Sequence, residues 1–91
     1  MEYEWDPEKE AVNFSKHGVH FADAIGAFED EAALSEPDTT SNEDRTRTLG
    51  TDFLGRLLLV VWTFRGEDTI RLISARPATP LQQKIYERSR R

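Results

Sequence analysis

The stretch Arg56-Leu57-Leu58-Leu59-Val60-Val61-Trp62-Thr63-Phe64-Arg65-Gly66-Glu67-Asp68-Thr69-Ile70-Arg71-Leu72-Ile73-Ser74-Ala75-Arg76 decides the fold. Residues 56–64 are apolar almost without interruption, yet far fewer than the roughly 20 residues a membrane-spanning helix needs. Such a run reads as a strand covered on both faces or central in its sheet. Arg65-Gly66-Glu67-Asp68 reads as a turn, and residues 69–75 as the next strand. So short a connection forces antiparallel neighbours. Upstream, residues 45–51 read as a strand with polar side chains on both faces, placed toward a sheet edge. Phe53-Leu54-Gly55 turns it into the long strand, which completes a β-meander.

Working outward, residues 2–5 alternate apolar and polar as a short strand does. Asp6-Pro7-Glu8 is a helix start, with Asp6 as N-cap and Pro7 at the first helical position. Gly18, after Lys16-His17, is a C-terminal stop, and Trp5, Ala11, Phe14 and Val19 are expected to pack as an edge. Phe21, Ala24, Ile25 and Phe28 fall at i, i+3, i+4 and i+7, which predicts a second helix over residues 21–29. Residues 32–35 form a further short strand, and residues 36–44 an exposed loop. Thr79, Pro80 and Gln82 make a capping box for a last helix carrying Leu81, Lys84, Ile85, Tyr86 and Arg88. The expected fold is α+β: an antiparallel meander sheet with two N-terminal helices and one C-terminal helix, the helices covering one sheet face. One domain spans residues 1–91, with Trp5 and Trp62 in its core.

A chain of 91 residues holds one hydrophobic core. It has no cysteine, which excludes disulfides, thiolate metal sites and a cysteine nucleophile and favours a reducing compartment. The acidic N-terminus lacks the basic-then-apolar order of a signal peptide. These features predict a cytoplasmic protein with no membrane segment. The net charge of −5 conceals an asymmetry. Residues 1–44 hold thirteen Asp and Glu against Lys9 and Lys16, whereas residues 45–91 hold ten cations, nine of them arginine, against four acids. Arginine's planar fork grips phosphate bidentately. The asymmetry therefore points either to an anion-binding face or to two halves that neutralise each other.

Arg65, Arg71 and Arg76, with Arg56 at the start of the preceding strand, are the leading phosphate ligands. Alternation puts Arg71 opposite Ile70 and Leu72 and on one face with Ile73 and Ala75. Each arginine could equally be consumed by a carboxylate. His17 and His20 are the side chains that titrate near neutrality without help. His17 is a proton-transfer candidate for metal-free RNA cleavage, or else it caps helix carbonyls; His20 is read as solvated surface. On the last helix, Tyr86 either stacks on a base or packs in the core, and Lys84 is a further phosphate contact. Neither a phosphate loop, a zinc-type cluster nor a Ser-His-Asp arrangement is present, so no cofactor or metal is expected.

Glu4-Trp5-Asp6, Asn13 with Lys16-His17-Gly18-Val19, and Phe21 with Ala24 resemble the opening of BrnT-like toxins. So do Gly55-Arg56-Leu57-Leu58, Thr63 with Arg65-Gly66, the run Ile70 to Arg76, Ala78-Thr79 and Tyr86-Glu87. The resemblance spans almost the whole chain and implies a RelE-like ribonuclease toxin of a type II toxin–antitoxin pair. It also implies a metal-free site on the sheet, inhibition of translation by RNA cleavage, and neutralisation by a ribbon-helix-helix antitoxin through which alone the toxin meets DNA. Arg71, Arg76, His17 and Tyr86 would then be catalytic, with Arg56, Arg65 and Lys84 on RNA phosphates. Gln82-Gln83 stands where relatives commonly carry a Glu-Arg pair, which implies weak or no cleavage if that pair assists catalysis. The contrasting expectation is a binding module without catalysis, acting as corepressor on the antitoxin.

Overall fold

A computed structural model describes residues 1–40 and 43–90. The order is β1 (Glu2–Glu4), α1 (Pro7–His17), α2 (Phe21–Ala24), α3 (Gly26–Glu29), β2 (Leu34–Pro37), β3 (Thr46–Thr51), β4 (Leu57–Arg65), β5 (Thr69–Pro77) and α4 (Pro80–Ser89). The strands form one sheet in the order β1-β5-β4-β3-β2. The meander is antiparallel as expected, with the apolar β4 at its centre, but β1 adds to β5 in parallel. The sheet is thus mixed, because the chain returns from β1 through all the intervening elements before it reaches β5. The strand at residues 46–51 is no edge: β2 lies beside it, and Thr48, Leu49 and Gly50 are buried. Glu36 and Pro37, expected in a loop, belong to β2. Ser41 and Asn42 of that loop, and Arg91 after the last helix, lie outside the described residues.

One face of the sheet packs against α1, α2 and α3. Val19, Phe21, Ala24 and Ala27 meet Leu58, Val60, Trp62, Ile70, Leu72 and Ala75, with Trp5 packed partly buried against them. The helix expected over residues 21–29 is two short helices meeting at Ile25. The Asp23 carbonyl accepts from the Phe53 N–H at 3.2 Å. Gly26 lies so close to the β3–β4 hairpin that a Cβ would sit 2.4 Å from the Phe53 nitrogen. The opposite face carries its own cluster of Leu49, Leu59, Ala78 and Tyr86, covered by α4. Helices therefore cover both faces at that end, because Leu49, Leu57 and Leu59 give the second face an apolar patch of its own.

In α1 the one buried residue is polar: Asn13, 5% exposed. Phe14, expected in the packed edge, stays half in solvent and stacks on His20, ring centroids 3.9 Å apart. Beyond Arg71, strand β5 has no β1 residue beside it. Asn13 takes the place of a strand there. Its Nδ2 donates to the carbonyls of Ala75 (2.8 Å) and Val19 (3.0 Å), and its Oδ1 accepts from the Ala75 N–H (3.0 Å).

Asn13→Ala strands three buried backbone groups at roughly 1–3 kcal/mol each. A net loss of about 3 kcal/mol is expected, with Tm falling by more than about 10 °C. Asn13→Asp, which cannot donate to two carbonyls, should lose nearly as much. A Tm within a few degrees of the parent in thermal denaturation would show that the amide is dispensable.

Candidate active site on the bare sheet face

The register between β4 and β5 shifts at Val61/Trp62, so that Val61 faces Ser74 but Trp62 faces Leu72, and Ile73 is the extra residue of a bulge. A bulge reverses the alternation of everything after it. Ala75, expected beside Arg71, instead turns into the core under α1, and Ser74 and Arg76 come to the face that carries Arg71. Bulges re-aim side chains in this way next to functional sites.

The result is an open cleft of about 290 Å³ on the face that α4 leaves bare. His17, Arg47, Ser74 and Arg76 line it over a floor of Leu59 and Val61, with Asp38 and Thr40 at the rim. His17 arrives from the end of α1, which Gly18 stops in the left-handed conformation at φ 68°. Arg76 is exposed and makes no ion pair among the described residues. Arg47 reaches Glu36 on β2 through its Nε at 2.8 Å. Asp38 accepts from the Thr40 hydroxyl (2.7 Å) and N–H (3.2 Å). These bonds, with Arg47 and Arg45 nearby, outweigh burial and hold its carboxyl below the usual carboxylate range.

The cleft thus brings together two of the expected residues, His17 and Arg76. Arg71 shares the face but donates to Glu4 on β1. Arg65 is exposed at the far end of β4, without an ion pair among the described residues. Arg56 holds the scaffold: its Nε donates to Asp52 at 2.9 Å and its Nη1 to the Gly18 carbonyl at 3.1 Å, tying the end of α1 to the hairpin. Lys84 is exposed on α4. Tyr86 is 5% exposed, and its hydroxyl donates to Asp30 and lies 3.3 Å from Thr51 Oγ1. Gln82 completes the capping box with Thr79. Sequence reasoning missed Arg47, Asp38, Thr40 and Ser74. Arg47 was the findable one, as an arginine within a strand.

Burial raises both partners of the Tyr86–Asp30 pair. For Tyr86 the bond to Asp30 adds to burial, and its hydroxyl is pushed above the usual range. For Asp30, bonds from Tyr86 and from the N–H groups of Thr51 (2.9 Å) and Ala32 (2.9 Å) outweigh burial and lower the carboxyl. A lowered carboxyl contributes stability that is present above its unfolded pKa, about 3.9, and is lost as pH falls through the folded value.

Among the described residues, no group of three or more His, Cys, Asp or Glu is arranged to hold a metal ion. Among the same residues, no helix is long and apolar enough to cross a membrane. A mixed five-stranded sheet, with a cation-lined cleft on the face its N-terminal helices leave open, makes the chain a small α+β domain. The family model described as "Ribonuclease toxin, BrnT, of type II toxin-antitoxin system" matches residues 5–81, and the chain belongs to this family. The crystal structure of the Brucella abortus ribonuclease toxin BrnT is similar, with a TM-score of 0.71 and 27% identity over 87% of this chain and 97% of that one. Nothing matches among curated proteins.

Asp30→Asn should lower Tm at neutral pH by several degrees, equivalent to about 1 kcal/mol or more. The gap to the parent should narrow as pH falls below about 4. A gap that stays constant with pH would mean that the charge of Asp30 contributes nothing.

Proposed function

We propose that the protein is a metal-independent endoribonuclease that inhibits translation by cutting RNA on the bare sheet face. The observation that carries this reading is Arg76, a guanidinium turned by the bulge into a cleft where it has no carboxylate partner among the described residues, beside His17. An unpaired arginine beside apolar strand residues is suited to a phosphate. In the reaction the ribose 2′-oxygen attacks the adjacent phosphorus as its proton is removed. The 5′-oxygen leaves with a proton, and a 2′,3′-cyclic phosphate remains. Arg76, with Arg47 behind it, stabilises the charge gathering on the phosphoryl oxygens, and His17 moves a proton. RNA is the substrate, and the partner is an antitoxin of the ribbon-helix-helix kind, through which the complex reaches DNA. The work takes place in the cytoplasm, and residues 1–91 act as one domain.

A second reading, a corepressor without catalysis, draws support from Tyr86 and Gln82, which are spent on the Asp30 bond and the capping box. The two readings separate on expression without antitoxin. Under the first, the parent arrests bacterial growth, and Arg76→Ala, folded to the parent Tm, does not. Arg76→Lys and His17→Ala should each slow cleavage of purified RNA by about 100-fold, with parent cleavage unchanged by EDTA. Growth unaffected by soluble parent protein would leave the corepressor.

A further inference from the structure

A second groove, of about 390 Å³, runs along α1 beside the β5 bulge, and His17 and Ser74 line both it and the cleft. The two concavities therefore adjoin, with the side chains of His17 and Ser74 common to their walls. The acidic half of the chain has only two lysines, Lys9 and Lys16, and both line this groove. They lie seven residues apart on one face of α1, about 10 Å along the helix axis at 1.5 Å per residue. That is the length of about three stacked nucleotides at 3.4 Å each. Both are exposed and without an ion pair among the described residues. Between them Val12, 52% exposed, and the bulge residue Ile73 give the groove apolar walls. At its far end are two carboxylates, that of Glu8, which is exposed, and that of Asp6, one oxygen of which accepts the Glu8 N–H at 2.8 Å.

We propose that this groove is the subsite for the nucleotides flanking the cleaved bond of single-stranded RNA. Lys9 and Lys16 bind their phosphates, Val12 and Ile73 pack against a base, and Glu8 accepts from an amino-bearing base edge. The inference rests on the ribonuclease reading above and extends it from the reacting phosphate to substrate selection. A purely basic groove would hold any polyanion. A carboxylate at one end repels phosphate and accepts hydrogen bonds from exocyclic amino groups, so it confers base preference where the lysines confer grip. With a net charge of −5 the whole-molecule field repels RNA, and the two lysines supply a local attraction against it.

The test measures kcat/KM on oligoribonucleotides from dinucleotide to decamer, and binding of a decamer carrying a 2′-deoxy sugar at the cleaved position. The parent should gain kcat/KM with length on one side of the cut. In Lys9→Ala/Lys16→Ala that gain should drop about tenfold, and the slope of log affinity against log salt should fall by about 1.4, as for two lost single-strand phosphate contacts. Glu8→Gln should alter which base is preferred beside the cut. Unchanged length dependence and salt slope in the double lysine variant would overturn the subsite. So would loss of antitoxin affinity with RNA behaviour intact, which would assign the groove to a protein. If the parent cleaves nothing, the ribonuclease reading fails; binding of the deoxy decamer still decides whether the lysines hold RNA.

Discussion

The structure depends on one side-chain amide. Asn13 gives the exposed edge of β5 the hydrogen bonds that a neighbouring strand would supply, and it accepts from and donates to Ala75 at 3.0 and 2.8 Å. The same group holds the Val19 carbonyl, so it fixes the chain where α1 turns toward α2. An open sheet edge is a site for unwanted pairing; here a helix lies across it, attached by an amide rather than by an apolar face. Because α1 is anchored at this point, His17 at its end arrives beside Ser74 and Arg76.

The bulge at Ile73 lies two residues before Ala75. Anchor and bulge are complementary. The extra residue turns Ala75 into the core and its backbone toward Asn13, and in the same step sends Arg76 to the open face. On that face the apolar patch of Leu49, Leu57 and Leu59 attracts α4, and the remainder stays bare. A floor of Leu59 and Val61 beneath Arg47 and Arg76 gives the open cleft an apolar base between its charged walls.

The charge asymmetry resolves into both of its alternatives, residue by residue. Arg47 and Arg71 meet Glu36 and Glu4, and Arg56 meets Asp52 at 2.8 Å and Asp23 at 4.0 Å, so each of the three is neutralised at least in part by the acidic half. Arg65 and Arg76 have no such partner among the described residues. An arginine in a strand pattern does not reveal whether a carboxylate lies on the adjacent strand. That depends on register, and β1, which brings Glu4 beside Arg71 on β5, lies 67 residues away in the chain. Tyr86 illustrates the same limit. Helical spacing was compatible with a core residue, and Asp30, 56 residues away, is the partner that makes it one.

Local chemistry by itself determined the strands of the meander, the caps of α1 and α4, the absence of thiol chemistry, and the candidacy of His17 and Arg76. Each of these rests on residues within a few positions of one another, or on composition. Only the tertiary structure decided that β1 joins β5 in parallel, that an asparagine carries α1, that a bulge reverses the phase of β5, and that Arg47, Asp38, Thr40 and Ser74 line one cleft with His17. Those outcomes depend on hydrogen bonds and register between segments far apart in the chain, for which alternation and helical spacing carry no signal.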